Sequence, residues 1–356
     1  TRLDMNKILS LFVVLTSLCS LPVAGAEHPH IVFILADDMG YGDVSCFNPE
    51  SKIQTPHIDR LAAGGVRFMD AHAGGSSCIP SRYSLMTGRF AVRASMAVQK
   101  GPIVDRGRVT VPSLLRDAGY TTAMVGKWHL GFDPVAQRKL SDYTKPFTGG
   151  PLDCGFDSFF GMHASLDIQP YFYIRDRMAI EPPDQAVEAS GSVGGEEGWN
   201  HIQGAFWRKG LKSKDFDFDD CTPRFVREAV SVIAIHAKKA KEQPLFLYLA
   251  LPSPHTPWLP IEVFRGKSGA GMYGDFVLQV DAAVGDVTAA LERAGMKDDT
   301  LVFFSSDNGP VWYDKDVDRF GHRAVGGLRG MKFDSWEGGH RMPFVVENIV
   351  EDGGTP

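Results

Sequence analysis

Two carboxylates stand side by side at Asp37-Asp38, and a third is followed by an amide at Asp307-Asn308. All four side chains offer oxygen, and three of them ionise, a donor set that suits one hard divalent cation, Ca2+ or Mg2+, rather than zinc. Lys127, His129 and His255 are the complementary types, an amine and two imidazoles that can face an anion held on that cation and move protons. Cys78 differs in kind. In the stretch SSCIPSRYSLMTGR, Pro80 suits a first helical turn, so Cys78 falls at the positive end of a helix, and Arg82 lies on about the same side. Each group has an ordinary alternative: paired aspartates after a strand make turns and caps, DNG is a common turn, and a histidine in a proline-rich loop usually packs. Their case is collective and depends on the elements that carry them.

Four near-continuous apolar runs read as strands buried on both faces: HIVFILA (30–36), YTTAMVG (120–126), PLFLYLAL (244–251) and TLVFFSS (300–306). Helical patterns alternate with them, beginning at Thr55-Pro56, at Thr110, at Thr222 and at the run GDFVLQVDAAVGDVTAALERAG, with the three threonines as caps. The alternation predicts an α/β fold with a mainly parallel central sheet and helices on both faces. Ligands of such sheets bind beyond the carboxyl ends of the strands. The residues that follow the four runs are Asp37-Asp38, Lys127-Trp128-His129, the PSPHTP loop with His255, and Asp307-Asn308, so a parallel sheet points them all at one crevice. The segment from about 181 to 220 reads as a surface excursion, and its DFDFDD run as a solvated acidic loop.

The 356 residues carry a formal charge of −6 with no basic stripe, which argues against nucleic acid as a partner. Residues 1–4 precede the first methionine, and 5–26 have the layout of a secretory signal peptide: Lys7, an apolar run, then Ala24-Gly25-Ala26. The expectation is an exported chain, periplasmic in a bacterium or secreted, without a membrane anchor after cleavage, whose catalytic unit runs over 27–356. Cys46, Cys154 and Cys221 allow at most one disulfide if Cys78 has another use.

At Cys78, Pro80, Ser81, Arg82, Leu85, Thr87, Gly88 and Arg89 the chain resembles the sulfatase family of the alkaline-phosphatase-like superfamily. The resemblance extends through IVFILADDMGYGD (31–43), GKWHLG (126–131), SPHTP (253–257), SSDNG (305–309) and GMKFDSWEGGHRMP (330–343). It implies that a maturation enzyme reads the CxPxR pattern and oxidises Cys78 to formylglycine, whose hydrated aldehyde would bind the cation and attack the sulfur of a sulfate ester. It implies Asp37, Asp38, Asp307, Asn308 and residue 78 as cation ligands, with Arg82 holding the nucleophile. Lys127 and Lys332 would bind sulfate oxygens, His255 would contact the sulfate and protonate the leaving group with Lys332, and His129 would act as base. Ser165, in GMHASLD, lies near where some members carry a sulfate-site serine. A thiol nucleophile at Cys78 beside His129 or His255 is the other reading of the residues alone. His57, His72, His163, His201, His236, His322 and His340 have no motif role.

The implied activity is hydrolysis of a sulfated carbohydrate or aryl sulfate, with a phosphodiesterase or phosphonate monoester hydrolase of the same superfamily as the alternative. The family usually continues past the EGGHRMP segment into a small C-terminal domain, so the chain, ending at Pro356, reads as a catalytic domain whose partner domain is missing.

Overall fold

The computed structural model describes residues 28–132, 140–191, 199, 202–239 and 243–348, with side chains from 142 in the second stretch. The signal-like segment 5–26 and His201 lie outside the described residues. The four apolar runs become β1 (His30–Asp37), β3 (Thr121–Lys127), β9 (Leu245–Pro254) and β10 (Thr300–Ser306) of a nine-stranded sheet. The other strands of this sheet are β2 (Gly65–Phe68), β4 (Ser158–Met162), β5 (Ile174–Arg175), β6 (Met178–Ala179) and β11 (Phe344–Glu347), in the order β2-β11-β10-β1-β9-β3-β4-β5-β6. Its five central strands, β10 to β4, are parallel, and antiparallel pairs close both edges.

Alternation along β1 explains why it is apolar throughout. Val32, Ile34 and Ala36 enter one core layer while Leu35 enters the other, so both faces are sealed from water. The first layer is covered by α1 (Pro56–Ala63), α4 (Cys221–Lys239) and α5 (Gly271–Ala294); the second includes Tyr83 and Met86 of α2 (Cys78–Thr87) and is flanked by α3 (Val111–Asp117). On α5, Val277, Val280, Val284, Val287 and Leu291 recur at helical spacing and are fully buried. Each such side chain contributes about 1.5–3 kcal/mol over an exposed position. Two short helices follow β10, α6 (Asp314–Phe320) and α7 (Glu337–His340).

Three expectations are corrected. Thr110 does cap α3, accepting from the Ser113 amide, but Thr55 makes no side-chain cap to α1. Its hydroxyl bonds the Asp59 carboxylate, and the amides of His57 and Ile58 are taken instead by Asp281 of α5, a group too remote in sequence for a local pattern to reveal. Thr222 lies inside α4, which begins at Cys221. The excursion at 181–220 contains a two-stranded sheet, β7 (Pro183–Val187) with β8 (Gly210–Ser213), while its acidic run keeps to the surface, with Asp217 and Asp219 exposed, Asp215 paired with Arg224 and Asp220 with Arg227. Cys46, Cys78, Cys154 and Cys221 are free thiols. No helix among the described residues is long and apolar enough to cross a membrane.

Candidate active site

Register decides which strand ends meet. Ala36 of β1 pairs with Ser306 of β10, setting Asp37 beside Asp307; Asp37 pairs with Pro254 of β9, setting His255 one residue beyond; Gly126 of β3 pairs with Ala250 of β9, bringing Lys127 alongside. At Gly126 a glycine is required. Its φ is +112°, and a Cβ there would lie 1.9 Å from the Ala250 carbonyl oxygen. Just beyond the strands Asp38 and His129 hold φ of 63° and 59°, a left-handed conformation that costs non-glycine residues about 1–3 kcal/mol and persists only where the surroundings enforce it.

Those surroundings are a buried charge lattice. The Lys127 ammonium pairs with Asp37. Arg82, on the inner face of α2, donates from Nε to Asp307 at 2.9 Å and from Nη1 to the Lys127 carbonyl at 3.0 Å, with Nη2 3.5 Å from Asp37. Lys332 reaches Asp38 at 2.7 Å and the Cys78 sulfur at 3.5 Å. His255 Nε2 lies 3.6 Å from Asp38, while its Nδ1 meets the Thr256 carbonyl at 2.6 Å. Asp307 accepts from the Asp38 amide at 3.2 Å, and Asn308 donates to the Asp38 carboxylate at 2.7 Å. Ser165 Oγ sits 3.4 Å from His129 Nδ1. All eleven residues singled out in the sequence are therefore gathered at one place, and each is buried.

Electrostatics follows from that packing. Burial alone would raise Asp37, yet Lys127, His255, Arg82 and Lys332 together hold it well below the usual carboxylate range. Asp307 goes the other way, pushed up to about 6 by burial and then by the Asp37 charge. Burial pushes the Cys78 thiol up to about 12 against the pull of Lys127 and Lys332, and burial with the Lys127 and Arg82 fields keeps His129 well below its ordinary value. His129 is thus a neutral imidazole beside Lys127 and Arg82, the form that accepts a proton.

The residues fit a hard cation. Ligand atoms of Asp37, Asp38, Cys78 and His255 lie within 4.8 Å of one another, and the buried Oδ1 of Asn308 has no hydrogen-bond partner. An orphaned buried oxygen is costly unless something occupies it. Three carboxylates face Arg82, Lys127 and Lys332, so the lattice is near neutral, and a divalent ion leaves it electropositive toward an anionic substrate.

The site opens into a cavity of about 500 Å³ bordered by Cys78, His129, Ser165, His255 and Lys332, and walled by Met96, Ile168, Phe206, Arg208 and Trp258. Sequence reasoning passed over the second rank of residues. Tyr273 of α5 sets its hydroxyl between the Asp43 carboxylate and the Asp38 carbonyl, and the fully buried His322 bonds Asp43 at 2.8 Å, so the three brace the loop that carries Asp38. Asp43 ends the GYGD run quoted above; Tyr273 and His322 stand in no local pattern.

The comparison with known proteins agrees with this geometry. The sulfatase family model matches residues 29–347, nearly all of the described structure. The chain belongs to the sulfatase family. It is 35% identical over 353 residues to an N-acetylgalactosamine-6-O-sulfatase of Bacteroides thetaiotaomicron, covering 90% of this chain and 68% of that relative. To human arylsulfatase A it is 34% identical over 332 residues, covering 91% of this chain and 60% of the relative. The sulfatase fold is equally plain in three dimensions. A solved structure from work on glycosaminoglycan metabolism by Bacteroides thetaiotaomicron superposes with a TM-score of 0.78 at 33% identity, over 91% of this chain and 72% of the other. A phosphonate monoester hydrolase of Agrobacterium radiobacter, at 18% identity and a TM-score of 0.51, shares the fold alone. The chain thus spans about two thirds or less of several sulfatases it matches, 68% and 60% in the two named here.

Proposed function

We propose that the protein hydrolyses sulfate esters of carbohydrates, through residue 78 as formylglycine and with one Ca2+ or Mg2+. The observation that carries this reading is the convergence of three carboxylates, an orphaned amide oxygen and two lysines on Cys78 at the end of a parallel sheet, in a chain of the sulfatase family. Asp37, Asp38, Asp307 and Asn308 would hold the cation, which supplies charge stabilisation at the sulfate and at the oxygen of residue 78.

The chain's own groups divide the remaining work. Lys332 is a buried ammonium group bordering the cavity, and Lys127 is fully buried beside Asp37; in so dry a site both would attract sulfate oxygens far more strongly than they would in water. Arg82, fixed by Asp307 and the Lys127 carbonyl, orients the start of α2 and offsets negative charge on residue 78. His255 gives its Nδ1 proton to a hydrogen bond with the Thr256 carbonyl and has Nε2 for the ester oxygen, where, carrying a second proton as imidazolium, it would with Lys332 supply the proton that the leaving alcohol needs. His129, held neutral, would take the proton of the second hydroxyl on hydrated residue 78 as the bond from its carbon to the sulfate oxygen breaks, so that sulfate leaves and the aldehyde returns. Carbohydrate is preferred to a simple aryl group because the named relatives include an N-acetylgalactosamine-6-O-sulfatase and a structure from glycosaminoglycan metabolism. Export through residues 5–26, to the periplasm or beyond the cell, and maturation by a formylglycine-generating enzyme belong to the same proposal.

The decisive experiment combines mass spectrometry with turnover. Protein made alongside a maturation enzyme is expected to carry an aldehyde at residue 78 and to release sulfate from a 6-sulfated amino sugar. An active preparation holding only the Cys78 thiol overturns the formylglycine reading, and preferential cleavage of a phosphonate ester overturns the sulfate one.

A further inference from the structure

His72, Glu337 and His340 form a second group of side chains able to ligate a metal, made of none of the eleven residues above, with one ligand atom from each lying within 4.8 Å of the others. We propose that they bind a zinc-class transition-metal ion that cross-links the segment leading into Cys78 to the segment following Lys332.

The placement follows from local structure. Glu337 and His340 are three apart in α7, and residues at that spacing share a helix face. His72 is brought to them by an antiparallel bridge with Arg341, reinforced by the Ala73 amide donating to the His340 carbonyl at 2.8 Å. His72 Nε2 then lies 3.2 Å from Glu337 and 3.5 Å from Asp70, and the two imidazole centroids are 5.1 Å apart.

A second observation concerns the donors themselves. His340 Nε2 is 3.2 Å from the Ser335 carbonyl oxygen; with its proton donated there, Nδ1 is left with a lone pair. Metal-binding histidines are oriented in this way, by a carbonyl on the ring nitrogen that does not bind the metal. Two imidazoles and one carboxylate, with Asp70 or water in the fourth position, match Zn2+ and disfavour Ca2+ or Mg2+, the reverse of the oxygen-rich centre. Arg341 contacts Glu337 at 3.2 Å and Asp70 at 2.9 Å, so an ion must displace it, and the affinity is modest.

The consequence is mechanical. The two segments already meet where the Phe333 amide donates to the Ser76 carbonyl at 2.8 Å, beside Cys78 and Lys332. A metal bridge would fix that wall of the cavity and raise the melting temperature by mass action.

The test titrates Co2+, as an optical probe, and Zn2+ into the purified protein with Ca2+ in excess to keep the catalytic centre filled. Expected are one Co2+ per chain with tetrahedral visible absorption, binding weakened roughly tenfold or more in each of His72→Ala, His340→Ala and Glu337→Gln, and unchanged binding in Cys78→Ser. Zn2+ should raise the melting temperature of the wild type and not that of His340→Ala. Equal affinity in the wild type and the three variants, no saturable binding at millimolar Co2+, or binding lost only in Cys78→Ser overturns the proposal. Circular dichroism of the variants shows that they fold.

Discussion

Asp307 has two tasks that pull its chemistry in different directions. One oxygen holds Arg82 and the other accepts from the Asp38 amide, while burial and the nearby Asp37 charge make its own ionisation expensive. Replacing it by asparagine keeps the shape and removes the charge. Asp307→Asn is expected to lower turnover of the sulfated substrate by about 10³-fold or more, since the proposed cation site loses one of its three carboxylate charges. It is also expected to cost about 3 kcal/mol of stability, because Arg82 then keeps only the more distant Asp37 as a buried counter-charge. Steady-state kinetics and thermal unfolding read the two effects separately. A variant with unchanged turnover would remove Asp307 from the cation site.

At the scale of elements, α1 is held by a contact that no local pattern announces. Asp281 projects from α5 and accepts from the amides of His57 and Ile58, so the capping of one helix depends on the packing of another. Asp281→Ala is expected to lose about 1–2 kcal/mol, the usual cost of a lost cap, as a fall in melting temperature. The same residue predicts a pH dependence. Burial lifts Asp281 to about 6, above the ordinary value of about 4 it takes when unfolded. Between those values the folded chain binds more protons than the unfolded one. This residue's contribution therefore declines as pH rises from about 4 to about 6. In denaturant titrations across that window, the Asp281→Asn variant should lack this component; identical curves for variant and wild type would contradict it.

The whole molecule confronts a problem of charge. Three carboxylates and three side-chain cations are enclosed at the end of the sheet, each side needing the other because all six are largely shut off from bulk water. Under the proposed function a divalent cation completes this arrangement, so chelation should abolish activity and lower the melting temperature together. Ca2+ or Mg2+ should restore activity; Zn2+ should not, even where it stabilises the protein at the His72 cluster. Restoration by Zn2+ alone would mean that the centre prefers nitrogen and sulfur donors, which its oxygen-rich composition argues against.

Much of this was legible in the chain because strand burial and strand-end chemistry are local properties. The runs at 30–36, 120–126, 244–251 and 300–306 are apolar since both sheet faces are covered, and charged residues stand directly after three of them, Asp37, Lys127 and Asp307, buried at the strand ends. The position of Cys78 at the start of α2, with Arg82 on its inner face, follows from Pro80 and helical spacing. What the sequence by itself determined is therefore the α/β class, the side-chain types at the strand ends and the chemistry they could do. The tertiary structure alone decided which carboxylate meets which cation, because register between β1, β9 and β10 joins residues more than two hundred positions apart. It also decided that Asp281 caps α1, that Tyr273 and His322 brace the Asp38 loop, and that Arg208 and Phe206 come from a seemingly loose excursion to wall the cavity. Those contacts arise from packing between distant segments, whose energies depend on shape and exclusion of water rather than on neighbours in the chain.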